Sequence, residues 1–170
     1  MKTALLSTLV LTMAATAVSA KGLTTRITLR DATLQTSIDI TDPSVLRAFN
    51  VWAGPGTFAN DVEGTTGFII DWPAGIARDR PRDLVRYEVM FHVRYLDRSN
   101  EELVYVVLYE HEPASGRGFV YLPGRSDDYY GRNVRTILHG HNLEGHWFYA
   151  TDAWRNAVNH LLPLTKPSHD

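Results

Sequence analysis

Apolar and polar positions alternate along most of the chain from residue 25 onward. Thr25, Ile27 and Leu29 alternate with Arg26, Thr28 and Arg30. Leu34, Thr36, Ile38 and Ile40 alternate with Gln35, Ser37 and Asp39. A two-residue period places each set on one face of a strand. The two runs predict an N-terminal pair of strands that turns near Asp31-Ala32, each with one face toward water. The pattern is clearest mid-chain, where Val85, Tyr87, Val89, Phe91, Val93 and Tyr95 oppose Arg86, Glu88, His92 and Arg94. Residues 103–109 are apolar on both faces, as in a strand at the centre of a sheet. Turn residues at 97–100 and 112–116 flank that stretch, and a further strand spans 119–122. Residues 85–122 thus read as an antiparallel meander. Shorter strands are predicted with Phe68, Ile70 and Trp72 on one face, at 134–138 and at 147–149.

The period changes twice. Asp42 before Pro43 is a helix start, since Asp caps exposed N–H groups and Pro suits the first helical position. Val45, Leu46 and Phe49 share a face, which predicts a short helix near 43–49. Trp154, Ala157, Val158 and Leu161 recur at helical spacing after Thr151 or Asp152, which predicts a C-terminal helix near 152–162 stopped by Pro163. The fold class is therefore α+β, a mainly antiparallel sheet of about six or seven strands with two helices. The glycine-rich stretch 53–66 reads as a long loop. The 73–83 segment, with Arg78, Arg80 and Arg82 among Asp79 and Asp83, reads as a solvated turn.

The N-terminus has a different character. Met1-Lys2 precedes an uncharged run from Thr3 to Ala17, and small residues Val18-Ser19-Ala20 precede Lys21. That is the layout of a cleaved secretory signal peptide. Its apolar run falls short of the roughly 20 residues of a membrane span. The expected organisation is a signal peptide at 1–20, one β-rich domain at 21–163 and a flexible tail at 164–170. Cysteine is absent from the sequence, which excludes a lipoprotein anchor and a disulfide framework. The expectation is a soluble exported protein, periplasmic or secreted, with no stable membrane insertion after cleavage. The chain has 17 basic and 19 acidic residues, a balance that gives no support for nucleic acid as a partner.

Candidate chemistry is sparse. His139, His141, Glu144 and His146 lie in one short polar segment, and imidazole with carboxylate suits zinc or another divalent metal. His-x-His followed by Glu resembles the first metal motif of cupins. Here two residues, not three or four, precede the Glu, and the Pro-x-Gly-x-x-His element of the second motif is missing. Glu110-His111-Glu112 ends the central strand and reads either as an acid–base group or as a solvated strand end. Asp127-Asp128 with Asn133 offers oxygen ligands without the spacing of a calcium loop. Nucleophile and phosphate-loop signatures are missing. Trp52, Phe58, Tyr129 and Tyr130 sit in or beside loops and are candidates for a binding surface.

Residues 40–43, Phe49, 52–56, 105–111 and 118–124 resemble a family of small exported bacterial proteins to which no activity is assigned. The resemblance covers most of residues 21–170. It implies a bacterial source and an extracytoplasmic home, and it carries over no catalytic residues. The expected function is a non-catalytic binding module for a small ligand or an envelope or extracellular protein. Its surface is expected on loops 53–66, 126–132 and 139–146, with no cofactor. The alternative is a metal-binding protein or metal-dependent enzyme using the 139–146 segment, so enzymatic activity stays open.

Overall fold

A computed structural model describes residues 22–31, 37–59 and 61–162. The leader, Leu34 and Thr36 of the second predicted strand, the stop at Pro163 and the tail at 164–170 lie outside the described residues. Strands β1 (Leu23–Asp31), β2 (Ile38–Ile40), β5 (Val85–Arg94), β6 (Glu101–Glu112), β7 (Arg117–Tyr121) and β8 (Trp147–Tyr149) form one antiparallel sheet. Its order is β2-β1-β5-β6-β7-β8. Strands β3 (Phe58–Ala59) and β4 (Val62–Glu63) make a separate small hairpin within the long glycine-rich loop. The meander β5-β6-β7 is the centre of the sheet, and the fold is α+β as the alternation predicts.

Side-chain alternation gives the sheet two unlike faces. Ile27, Leu29, Val89, Phe91, Val107, Tyr109, Val120 and Phe148 are buried in one continuous core. Two helices cover that face. In α1 (Pro43–Ala48) the Asp42 carboxylate accepts from the backbone N–H groups of Ser44 and Val45, and Leu46 is buried. In α3 (Asp152–Val158) the Thr151 hydroxyl accepts from the Trp154 N–H. Trp154 is fully buried, edge-on to Phe49 at 5.0 Å and to Tyr109 at 6.0 Å between ring centroids. The α-helix stops at Val158, and a 3-10 turn (Asn159–Leu161) completes the predicted segment.

Two predicted strands are corrected. Phe68, Ile69 and Ile70 are all buried, and Phe68 has a left-handed backbone with φ of 64°. The left-handed turn at Phe68 breaks the extended backbone, and Ile70 makes only an isolated bridge to Ala150, so this segment plugs the core instead of forming a strand. It still runs along the outer flank of β8, where Asp71 N–H donates to Tyr149 O and Thr151 N–H donates to Ile69 O.

The strand expected at 134–138 is overlapped by a helix, α2 (Tyr130–Thr136). β7 pairs only with Leu108–Glu112, so the earlier half of β6 has no strand on that flank among the described residues. Side chains of α2 take the place of one. The Asn133 carboxamide accepts from Val106 N–H at 2.9 Å and donates to Val106 O at 2.7 Å. Arg132 donates to Leu103 O and Thr136 to Val104 O. Buried backbone groups require partners, and a helix carrying the right polar side chains supplies them.

Candidate functional site

The four residues expected to hold a metal do not converge. His139 is 0% exposed, and its ring lies against Trp72 at 4.9 Å and near Phe68 and Tyr105. Its Nδ1 meets Pro55 O at 2.7 Å. A carbonyl only accepts, so Nδ1 carries the proton. Nε2 is buried with no hydrogen-bond partner among the described residues. Burial pushes the His139 pKa below the usual imidazole value, against weaker opposing effects of Pro55 O and Glu144. His141 is exposed and reaches Glu63 instead, at 3.2 Å. Glu144 accepts from the backbone N–H groups of His139 and Gly140, and His146 is exposed. Among the described residues no group of three His, Cys, Asp or Glu side chains is arranged to hold a metal ion. The histidines serve different ends: one packs the interior and one clasps a neighbouring loop.

That clasp uses two of the three loops expected to form a binding surface. Glu63 accepts from Gly56 N–H at 2.7 Å as well as contacting His141. Gly56 has φ of 77°, and a Cβ there would lie 2.3 Å from Leu138 O. The 53–64 and 138–146 segments are thus tied together. The aromatic candidates are correspondingly dispersed. Trp52 packs partly buried against the core, and Phe58 is exposed on the small hairpin. Tyr129 and Tyr130 lie on the other side of the sheet, at the start of α2.

The third loop does border a cleft, on the polar face. There β1 and β5 place Arg30 opposite Glu88, β6 places Leu108 beside Glu88, and β7 places Tyr121 beside Leu108. The segment after β7 adds Pro123, Asp127, Asp128 and Tyr129. The cleft, open to solvent on one side, has a volume of about 630 Å³, within the range of small-molecule sites. Glu88 binds Arg30 through Nε at 2.8 Å and Nη2 at 2.5 Å, and it accepts from Tyr129 OH at 2.5 Å. Asp127 accepts from Tyr121 OH at 2.9 Å and Gly124 N–H at 2.6 Å. Burial and these carboxylates raise the pKa of both phenols, so each remains a hydrogen-bond donor. Asp127 and Asn133 are committed to separate partners and do not form an oxygen cage.

Beside the cleft, Glu110 is 1% exposed and lies between two guanidiniums. Arg86 pairs with it at 2.9 Å, and Arg80 pairs with it from the 73–83 segment. Both guanidiniums stack over Trp147, at 4.3 and 5.4 Å. In the same segment Asp79 binds Arg117 at 2.6 Å and accepts from Tyr149 OH. The expected solvated turn therefore folds back onto the sheet, and the expected solvated strand end is a buried carboxylate held by two partly exposed guanidiniums. His111 faces the opposite side of the sheet, and Glu112 pairs with Arg117. The sequence carried one sign of this arrangement, the charged alternate positions Arg86 and Glu88 on β5. Their partners Arg30, Arg80 and Glu110 are distant in sequence.

The cleft lining offers guanidiniums, carboxylates, phenols and small apolar surfaces, with no histidine, serine or threonine among its residues. Such a set can recognise and orient a ligand, and it lacks a hydroxyl nucleophile paired with an imidazole. Comparison with family models, curated proteins and solved structures finds no match to this chain.

Proposed function

We propose that this protein is an exported, non-catalytic binding module of bacterial origin whose ligand occupies the cleft on the polar sheet face. The observation that carries the reading is the cleft itself. Its central polar groups are cross-braced before any ligand arrives, and a braced site loses less side-chain freedom on binding. The pattern of residues 1–20 supports export, and the charged turn and aromatic rings flanking the cleft suit recognition more than chemistry. The metal alternative has no observation in its favour and is not carried forward.

The test is amide chemical-shift mapping of the folded protein against a library of small polar organic compounds. Binders should perturb Glu88, Leu108, Tyr121 and Tyr129 together, and Tyr129→Ala should weaken them. If every binder instead perturbs the exposed hairpin at 58–63, the cleft is not the site. Intact-mass analysis of extracytoplasmic material should show a chain beginning at Lys21. Retention in the cytosol with Met1 attached would remove the exported part of the proposal.

A further inference from the structure

Resting on the cleft as the ligand site, we propose that its ligand is a neutral polyhydroxylated molecule, a saccharide, and not an anion. The guanidiniums around the cleft are already paired, and Asp128 adds an exposed carboxylate with no ion pair among the described residues. Arg30 is paired with Glu88, Arg86 with Glu110, and Asp127 is held by Tyr121 OH and Gly124 N–H. An anionic ligand would have to break one of these pairs to gain a guanidinium, and it would face the carboxylates of Asp127 and Asp128. A neutral hydroxyl need not, because hydrogen-bonding capacity remains. Each carboxylate oxygen accepts more than one bond, and a guanidinium has five N–H donors. Arg30 and Arg86 are each about half exposed, at 53% and 54% for their side chains, and neither uses its Nη1 among the described residues. Planar groups of this kind bond adjacent hydroxyls in pairs.

The apolar part of the cleft fits the same class. Tyr121, Tyr129, Leu108 and Pro123 line it, and the C–H face of a sugar ring packs on such surfaces while its hydroxyls reach the polar rim. An extended peptide fits poorly. It would add to a sheet edge through backbone hydrogen bonds, and this cleft lies on a face. Within the sheet, the flank of β8 is already taken by the 69–77 segment.

The experiment titrates the whole folded protein with maltotriose and N-acetylated chitotriose as neutral probes. Inorganic phosphate and a tri-glutamate peptide serve as charged probes. The readout is amide shifts at 50 and 500 mM NaCl. A neutral saccharide should perturb Glu88, Tyr121 and Tyr129, with affinity changing less than about twofold between the two salts, since no net charge is neutralised. Tyr129→Ala should weaken it about tenfold, roughly the loss of one buried ring contact or hydrogen bond. Tyr129→Phe, which keeps the ring, should recover part of that loss, and retained spectral dispersion shows that each variant folds. Cleft shifts with phosphate or tri-glutamate alone, weakening steeply with salt, overturn the saccharide assignment and leave the cleft reading intact. Shifts confined to another surface, or no shifts with any probe, overturn both.

Discussion

Glu110 offers the sharpest test of how the polar face is held together. Its carboxylate is 1% exposed, with Arg80 on one side and Arg86 on the other. Glu110→Gln keeps the shape and removes the charge, leaving two guanidiniums facing each other over Trp147. Removing one member of a buried ion pair costs about 3–5 kcal/mol. Arg86 is half exposed and can turn to water, so the expected cost is at the low end, about 3 kcal/mol. For a domain of this size that lowers Tm by about 6–12 °C.

The partners should rank unequally. Arg80 is 22% exposed, donates also to Pro81 O and sits closest to Trp147. Arg80→Ala should cost about 2 kcal/mol, combining a lost ion pair with a lost cation–π contact. Arg86→Ala should cost no more than about 1 kcal/mol because solvent screens it. The double variant Glu110→Leu with Arg80→Met should recover most of the loss, since apolar replacement of a buried pair is often neutral. Urea unfolding followed by far-UV circular dichroism, at constant m, gives all four values. Equal costs for Arg80→Ala and Arg86→Ala would refute the reasoning. So would a Glu110→Gln protein within about 0.5 kcal/mol of the parent, because the triad would then be decorative.

Four further outcomes are expected. Burial lowers the folded-state pKa of His139, as it does for His92 and His111. The unfolded chain takes up protons near pH 6.5 while the folded one resists. Stability should thus be complete above about pH 6.5 and fall as pH drops through the window below it. His139→Gln should flatten that dependence between pH 7.5 and 5, and an unchanged slope in urea midpoints would count against it. Gly56→Ala should cost at least about 2 kcal/mol from its left-handed backbone and the blocked approach to Leu138 O; hydrogen exchange at 53–64 and 138–146 should rise together, and exchange in only one segment would deny the clasp. Trp154→Ala should cost about 3–5 kcal/mol in a urea melt, as a cavity opens between Phe49 and Tyr109. Asn133→Leu should cost about 2–3 kcal/mol by stranding Val106 N–H and O, and a loss below about 0.5 kcal/mol would show that those groups find other partners.

The meander was legible because β5 and β6 carry long, regular patterns that local chemistry alone determines. Both helices were legible from their caps, Asp42 with Pro43 and Thr151, which act within one turn. The 134–138 segment misled because Val134, Thr136 and Ile137 are β-branched residues favoured in strands. The deciding fact, that β7 is too short to flank all of β6, is a property of distant residues. Phe68–Ile69–Ile70 misled for a related reason: apolarity fixed its burial without fixing its backbone. At the site, the sequence singled out Tyr129 but also grouped His139 with His141. Alternation put those histidines on one side, whereas His141 takes a left-handed backbone with φ of 53°. Glu110 and Arg80, 30 positions apart, carry no local sign of each other.

The Asn133 carboxamide has a consequence beyond its two bonds. A bare strand flank is a template that any extended polypeptide can copy. By presenting one acceptor and one donor at the position of a missing peptide unit, a single side chain denies that template to other molecules. The sheet can then stop halfway along β6 without inviting a second copy of the chain to continue it. Protection of this flank against pairing with another chain therefore falls to Asn133 together with Arg132 and Thr136 of one short helix.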